Sequence, residues 1–203
     1  MSKRGIEPLA PGLQKVAPSW WQDTRVRTLL QFLFLIGMGA VAALGKAVHP
    51  PMGIPGSSGI LWLTPMVLGY VLIPKRGAGV LMGATMALWG VPMGIHNDLV
   101  YNLGLYGATG LALDITAALP RVNIRNLFGA LFCGVFAHMV KFGFIVDAAL
   151  TSGVTRNFLI LGLAKSALLH VAFGAGAGLV GWLIYKVWQN RRRNSQGQAG
   201  KSA

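Results

Sequence analysis

The chain has 203 residues, of which 54% are hydrophobic and only 11% are charged. Soluble domains carry about 25% charged residues, so this composition excludes most soluble classes of protein. Lys and Arg outnumber Asp and Glu by 18 to 5, which gives a net charge of +13. Because the chain also has long apolar runs, this excess predicts the basic loops of a membrane protein rather than nucleic-acid binding. The single cysteine excludes an intrachain disulfide and a Cys-rich metal site.

Six apolar segments approach the length needed to cross a bilayer core of about 30 Å. The second is short and contains Pro65, which predicts a kink or a tilt. The expected fold class is therefore an all-α integral membrane protein with six transmembrane helices. In chain order the segments are Leu29–Val48, Ser58–Ile73, Gly77–Ile95, Leu99–Leu119, Leu127–Leu150 and Phe158–Tyr185.

Basic residues alternate between the connectors. They are concentrated before the first segment, between the second and third, between the fourth and fifth, and after the sixth. Because positive charge is retained on the cytoplasmic side, both termini are predicted to be cytoplasmic. The chain then divides into a cytoplasmic or interfacial N-terminal segment (1–27), a six-helix membrane domain (28–188) and a basic, disordered cytoplasmic tail (189–203).

Ionisable residues inside the apolar segments are costly and mark functional positions. The fifth segment carries His138, Lys141 and Asp147, and the sixth carries Lys165 and His170. A rise of about 1.5 Å per residue in two antiparallel helices puts Lys165 level with Asp147, and Lys141 close to His170. The first pair predicts either a salt bridge or two site residues. For Lys141 the structural alternative is a side chain that reaches the outer surface. The functional alternative is that Lys141, with His138 or His170, binds an anionic group such as a carboxylate.

Two outer connectors carry further candidates. The first, residues 49–58, begins with His49 and contains three prolines and two glycines. It predicts either a lid over the bundle or an ordinary ordered turn. The second connector leads to Tyr101 and Asn102, a polar and aromatic pair that lines a ligand entrance or follows a simple helix cap at Asn97 or Asp98.

Small residues recur at four-residue spacing on the first segment, at Gly39, Ala43 and Ala47. Such a stripe lets another helix approach closely, either inside the bundle or in a partner subunit. Near the inner end of the fourth segment, Asp114 predicts a helix-end contact with Arg121 or Arg125.

Several catalytic signatures are absent from the sequence. It contains no Walker-type phosphate loop, no His-Glu-x-x-His motif and no nucleophile elbow. We therefore predict that the chain is not an enzyme, and we predict no cofactor and no metal site.

The order of these features resembles the substrate-binding S components of energy-coupling-factor (ECF) vitamin transporters. The matching features are the small-residue stripe, Ile54-Pro55-Gly56, the inner turn at residues 72–79, and the run Gly110-Leu-Ala-Leu-Asp114. The resemblance covers roughly residues 25–188. The stripe departs from the family's usual Ala-x-x-x-Ala because Gly39 replaces one alanine.

The resemblance implies a multi-pass protein of the bacterial plasma membrane that binds a small micronutrient from outside. It also implies docking through the stripe onto a membrane T subunit, which couples the protein to ATPase subunits. The family's binding site lies in the outer halves of the later helices and the first outer loop. In this chain that region contains His49, Tyr101, Asn102, Lys141, Asp147 and Lys165.

Two rival functions remain open from the sequence. His138 and His170 differ by roughly 6 Å in height, which permits axial ligation of one haem in a membrane redox complex. A solitary secondary transporter is the other rival, although the two halves of the chain show no repeat.

Overall fold

The computed structural model describes residues 23–50, 53–151 and 156–199. Every regular element in these ranges is a helix, so the all-helical part of the prediction is confirmed. Residues 1–22 of the predicted cytoplasmic or interfacial N-terminal segment lie outside the described residues. The chain forms two compact units, one ending at Phe34 and one beginning at Leu35. All the contacts analysed below belong to the second unit.

The described residues form six helices, and α4 consists of three consecutive segments. Three of them are long and apolar enough to cross a membrane: α1, α5 and the part of α6 from Gly162 to Ser195. Shorter apolar helices form α2 and α3. The bounds are α1 Thr24–Ala47, α2 Gly59–Leu72, α3 Ala78–Gly90, α4 Leu99–Asn102 with the π-helical Leu103–Gly107 and Ala108–Ala118, α5 Leu127–Thr151, and α6 Arg156–Ala199.

Helix α3 ends at Gly90, five residues before its predicted end at Ile95. Pro92 has no N–H to continue the helix, and Gly94 takes a left-handed conformation with φ 71°. The N–H of Ile95 then donates to the carbonyl of Gly90 (3.0 Å), which closes the turn.

Residues 189–199, which the sequence assigns to a disordered tail, continue α6 as far as Ala199. The guanidinium of Arg192 lies 4.8 Å from the ring centroid of Trp188, one turn earlier. The hydroxyl of Ser195 donates to the carbonyl of Arg191 (3.1 Å). Extending an existing helix needs no new nucleation, so such local contacts suffice to propagate it.

Part of the small-residue stripe on α1 packs inside the chain. A Cβ added to Gly39 would lie 2.6 Å from the carbonyl oxygen of Met82 and 2.7 Å from Cβ of Thr85. Ala43 is also buried, and only Ala47 is exposed. The packing alternative therefore describes Gly39 and Ala43, which let α1 approach α3 closely.

Asp114 binds the N-terminus of α3 rather than the predicted arginines. Its Oδ1 accepts the N–H groups of Gly77 (3.0 Å) and Gly79 (3.3 Å), and its Oδ2 accepts the N–H of Val80 (2.9 Å). A carboxylate at this position satisfies N–H groups that have no partner within the helix and complements the helix dipole. The contact joins two of the motifs that carry the family resemblance, the inner turn and the end of α4.

We expect Asp114→Ala to lower the free energy of unfolding by about 1–2 kcal/mol, because α3 loses its N-terminal acceptor. The matched control is Asp147→Ala, since Asp147 is exposed on α5 and such surface changes stay within about 0.5 kcal/mol. Thermal or urea unfolding in detergent measures both. Equal effects of the two substitutions would contradict the capping role.

Candidate ligand-binding site

A cleft of about 330 Å³ lies where the first outer connector meets α5 and α6. It is open on one side and contains both polar and apolar side chains. Its lining contains no carboxylate side chain. The lining residues are Lys46, His49, Gly53, Ile54, Pro55, Gly56, Ser57, Ser58, Lys141, Ile145 and His170.

The described part of the connector, from Gly53 on, is an ordered turn that lies directly over two imidazole rings. Gly53 and Gly56 have φ values of 66° and 78°, which glycine adopts without strain. A Cβ added to Gly56 would lie 3.2 Å from both Cε1 of His138 and Nδ1 of His170. The described part of the connector is therefore an ordered turn that covers the imidazoles closely.

Two lysines bring positive charge into the cleft. The ammonium group of Lys46, at the end of α1, donates to the hydroxyl of Ser58 (3.1 Å). The ammonium group of Lys141 lies 5.4 Å from the ring centroid of the fully buried Trp62. Lys141 thus lies against an aromatic ring in the bundle. None of the described lining residues carries a carboxylate, so none of them neutralises either charge.

His138 and His170 form a stacked pair, with ring centroids 4.7 Å apart and planes inclined by 29°. Nδ1 of His138 bonds the carbonyl oxygen of His170 (2.8 Å), and Nδ1 of His170 bonds the carbonyl oxygen of Ser166 (2.8 Å). A carbonyl oxygen only accepts, so each Nδ1 carries a proton. Both Nε2 atoms are buried without a hydrogen-bond partner among the described residues.

Three more buried polar atoms of the bundle have no hydrogen-bond partner among the described residues. They are Nε1 of Trp62, the hydroxyl of Tyr106 and Oδ1 of Asn102, and all three residues are fully buried. The ring centroid of Trp62 lies 5.5 Å from that of Tyr106 and 5.7 Å from that of His138. Buried polar groups in folded proteins nearly always have a partner, so these three atoms are exceptions to the usual pairing. The π-helical segment of α4, which includes Tyr106, is a feature that recurs at functional sites.

Asp98 caps α4, as the structural alternative for the second outer connector requires. Its carboxylate accepts the N–H groups of Val100 (2.8 Å) and Tyr101 (3.2 Å). Tyr101 is exposed, and its ring contacts those of His96 (5.1 Å) and Phe144 (6.1 Å). It lies at the rim and is not part of the cleft lining.

His96 lies close enough to the two cleft lysines for their charges to affect its protonation. Its pKa is lowered from the ordinary histidine value, first by partial burial and then by the positive charges of Lys46 and Lys141. Its carbonyl oxygen accepts Nδ2 of Asn102 (3.1 Å), which ties the connector to the interior. The positive charges of Lys46 and Lys141 thus act on the connector that carries His96.

Five predicted site residues do not line the cleft: Tyr101, Asn102, His138, Asp147 and Lys165. Asp147 and Lys165 are both exposed, and neither is part of the cleft lining. Within the described residues they form no ion pair with each other, because equal heights on two helices do not make two side chains face one another. His49, Lys141 and His170 do line the cleft, and His138 stacks on His170.

Sequence reasoning missed Lys46, Ser58, Trp62 and Tyr106. Lys46 lies next to the end of the first predicted segment and was not considered as a site residue, and Trp62 and Tyr106 resemble ordinary apolar residues of a helix. One signal was available: Tyr106 follows Asn102 by four residues, so the two occupy one helix face.

The motifs that carry the resemblance to S components have structural roles here. The inner turn and Asp114 hold α3 and α4 together, and the Ile54-Pro55-Gly56 stretch lines the cleft. The function must therefore be argued from the side chains of the cleft, because no family model, no curated protein and no solved structure matches this chain.

Proposed function

We propose that the chain is a membrane-embedded subunit that binds a small anionic micronutrient, a vitamin or its precursor, for uptake. The observation that carries this proposal is the cleft lined by Lys46 and Lys141 without any carboxylate. Charges in a membrane-embedded site need a partner of opposite sign. A carboxylate or phosphate on a ligand supplies that partner through charge-assisted hydrogen bonds.

The proposed topology has six crossings with both termini in the cytoplasm of a bacterial cell. The alternation of basic connectors supports it, and so does the agreement between the six helices and the six apolar segments. In this topology the first outer connector and the cleft face the outside. The ligand then enters from the side on which a nutrient is available.

Energy for uptake comes from partner subunits in this proposal. The sequence contains no Walker-type loop of its own. The resemblance to S components supports a membrane T subunit and ATPases as these partners. Because Gly39 and Ala43 are buried within the chain, docking would use other exposed residues, including Ala47.

The haem alternative receives no support from the two histidines. Axial ligands point at one iron from opposite sides of a flat macrocycle. The rings of His138 and His170 instead stack on each other at 4.7 Å, which leaves no space for a macrocycle between them.

The direct test is gentle purification followed by mass spectrometry of the extracted small molecules. We expect one anion to be enriched in stoichiometric amounts and to raise the melting temperature when it is added back. Enrichment of a cation, or a protein that retains and binds no small molecule, would contradict the proposed function. Uptake by cells that lack any partner ATPase would favour a solitary transporter instead.

The proposed topology predicts which introduced cysteines react with a membrane-impermeant maleimide in intact cells. In a Cys133→Ala background, Asn97→Cys should react in intact cells, whereas Arg121→Cys should react only after permeabilisation. Both native residues are exposed, so accessibility within the fold is matched. Labelling of Arg121→Cys in intact cells, with Asn97→Cys protected, would place the cleft on the cytoplasmic side.

A further inference from the structure

Building on the proposed function, we infer that the bound anion also carries an uncharged N–H or O–H group, which donates a hydrogen bond to Nε2 of His170. The ligand class is thus a small acid with a separate hydrogen-bond donor. An anion that only neutralises Lys46 and Lys141 leaves the histidine pair without a role.

The backbone fixes the proton of His170 on Nδ1. Nδ1 lies 2.8 Å from the carbonyl oxygen of Ser166 on the preceding turn, so Nδ1 is the donor of the neutral ring. Nε2 is then an acceptor. It is buried and has no partner among the described residues, although the side chain lines the cleft. A hydrogen-bond donor on the ligand satisfies it.

His138 has the same tautomer but a different position. Its Nδ1 bonds the carbonyl oxygen of His170 (2.8 Å), and a Cβ added to Gly59 would lie 2.5 Å from its Nε2. Its free nitrogen therefore faces the backbone of α2 and is not part of the cleft lining. His138 positions His170 by stacking, and His170 makes the contact with the ligand.

A metal cation is a poorer partner for this nitrogen. An unprotonated Nε2 with its Nδ1 fixed by a carbonyl also suits a metal ion. In this cleft, however, Lys46 and Lys141 supply positive charge, and the lining has no carboxylate to offset it. The described residues also contain no group of three His, Cys, Asp or Glu side chains placed to hold a metal. A neutral donor satisfies the imidazole without adding charge.

Matched pairs of acids test this inference on the full chain in nanodiscs. The probes are 3-(4-hydroxyphenyl)propionate with its 4-methoxy analogue, and indole-3-acetate with its 1-methyl analogue. The anion extracted at purification and its methylated derivative form a third pair. Binding constants are measured for wild type, His170→Phe and His170→Gln. Phenylalanine removes the acceptor, whereas glutamine keeps an acceptor oxygen.

We expect the tightest-binding donor acid to lose about tenfold in affinity on methylation, the effect of one hydrogen bond to an otherwise unpaired group. In His170→Phe the difference within the pair should fall below about twofold, and His170→Gln should restore part of it. Equal affinities within every pair in wild type would overturn the inference while leaving the proposed function intact. A preference unchanged in a folded His170→Phe would overturn it as well. If no acid binds and no anion is extracted, the proposed function itself fails.

Discussion

Replacing Lys141 with methionine is expected to weaken binding of the anion by about 100-fold or more, because a buried charge-assisted contact is worth a few kcal/mol. The same substitution should raise the melting temperature of the ligand-free protein. In the ligand-free cleft Lys141 has no carboxylate to pair with, so removing it relieves the cost of burying a charge. Weaker anion binding together with a higher melting temperature distinguishes a ligand-binding lysine from a structural one.

The matched control is Lys186→Met on α6. The ammonium group of Lys186 also lies near an aromatic ring, 5.7 Å from the centroid of Trp182, but it is not part of the cleft lining. We expect its binding constant to equal that of wild type. Affinity retained in a folded Lys141→Met variant would contradict the role of Lys141, and so would a Lys186→Met variant that binds as weakly. Binding constants and thermal unfolding in the same nanodiscs decide both.

The helices were predictable because apolar runs, and the residues that interrupt them, are local properties of the sequence. Each of α2, α4 and α5 begins and ends within one residue of its predicted bounds. The errors occur where a helix end depends on more than hydropathy. At the end of α3 a proline and a left-handed glycine stop the helix early, and at the end of α6 contacts between neighbouring turns extend it.

The site was only partly predictable, because height along a helix is easier to derive than rotation about it. The height argument placed Lys141 close to His170, and both line the cleft. The same argument placed Lys165 level with Asp147, yet both side chains are exposed. Rotation depends on which faces pack, and close packing here is set by glycines at helix crossings that hydropathy does not reveal.

Other contacts are invisible in the sequence because one partner is the backbone. The carboxylate of Asp114 accepts three N–H groups of the inner turn, and Nδ1 of each stacked histidine bonds a carbonyl oxygen. Sequence reasoning searched for charged partners of Asp114 and for an anionic ligand or a haem as the partner of the histidines. The partners are instead main-chain N–H and carbonyl groups, which the identity of a residue does not reveal.

The crossing of α5 and α6 supports the histidine pair and provides the second large prediction. Gly134 precedes His138 by one turn, and Gly174 follows His170 by one turn. A Cβ on Gly174 would lie 2.8 Å from the carbonyl oxygen of Gly134 and 2.9 Å from Cβ of His138. Gly174→Ala therefore forces the helices apart at the level of the rings. We expect a loss of about 1–3 kcal/mol in unfolding free energy, together with weaker ligand binding because His138 and His170 no longer stack.

Gly176→Ala is a demanding control because it makes the same chemical change two residues along the same helix. A Cβ on Gly176 would lie 3.6 Å from Cδ1 of Ile60, an ordinary van der Waals distance. In the helix interior, alanine also gains up to about 1 kcal/mol over glycine in intrinsic propensity. Gly176→Ala should therefore match or exceed wild type in stability and bind the anion normally. Since propensity favours both alanines equally, any deficit specific to Gly174→Ala measures the close approach of α5 and α6. If the two variants unfold at the same temperature and bind equally well, the stacked histidines do not depend on this crossing.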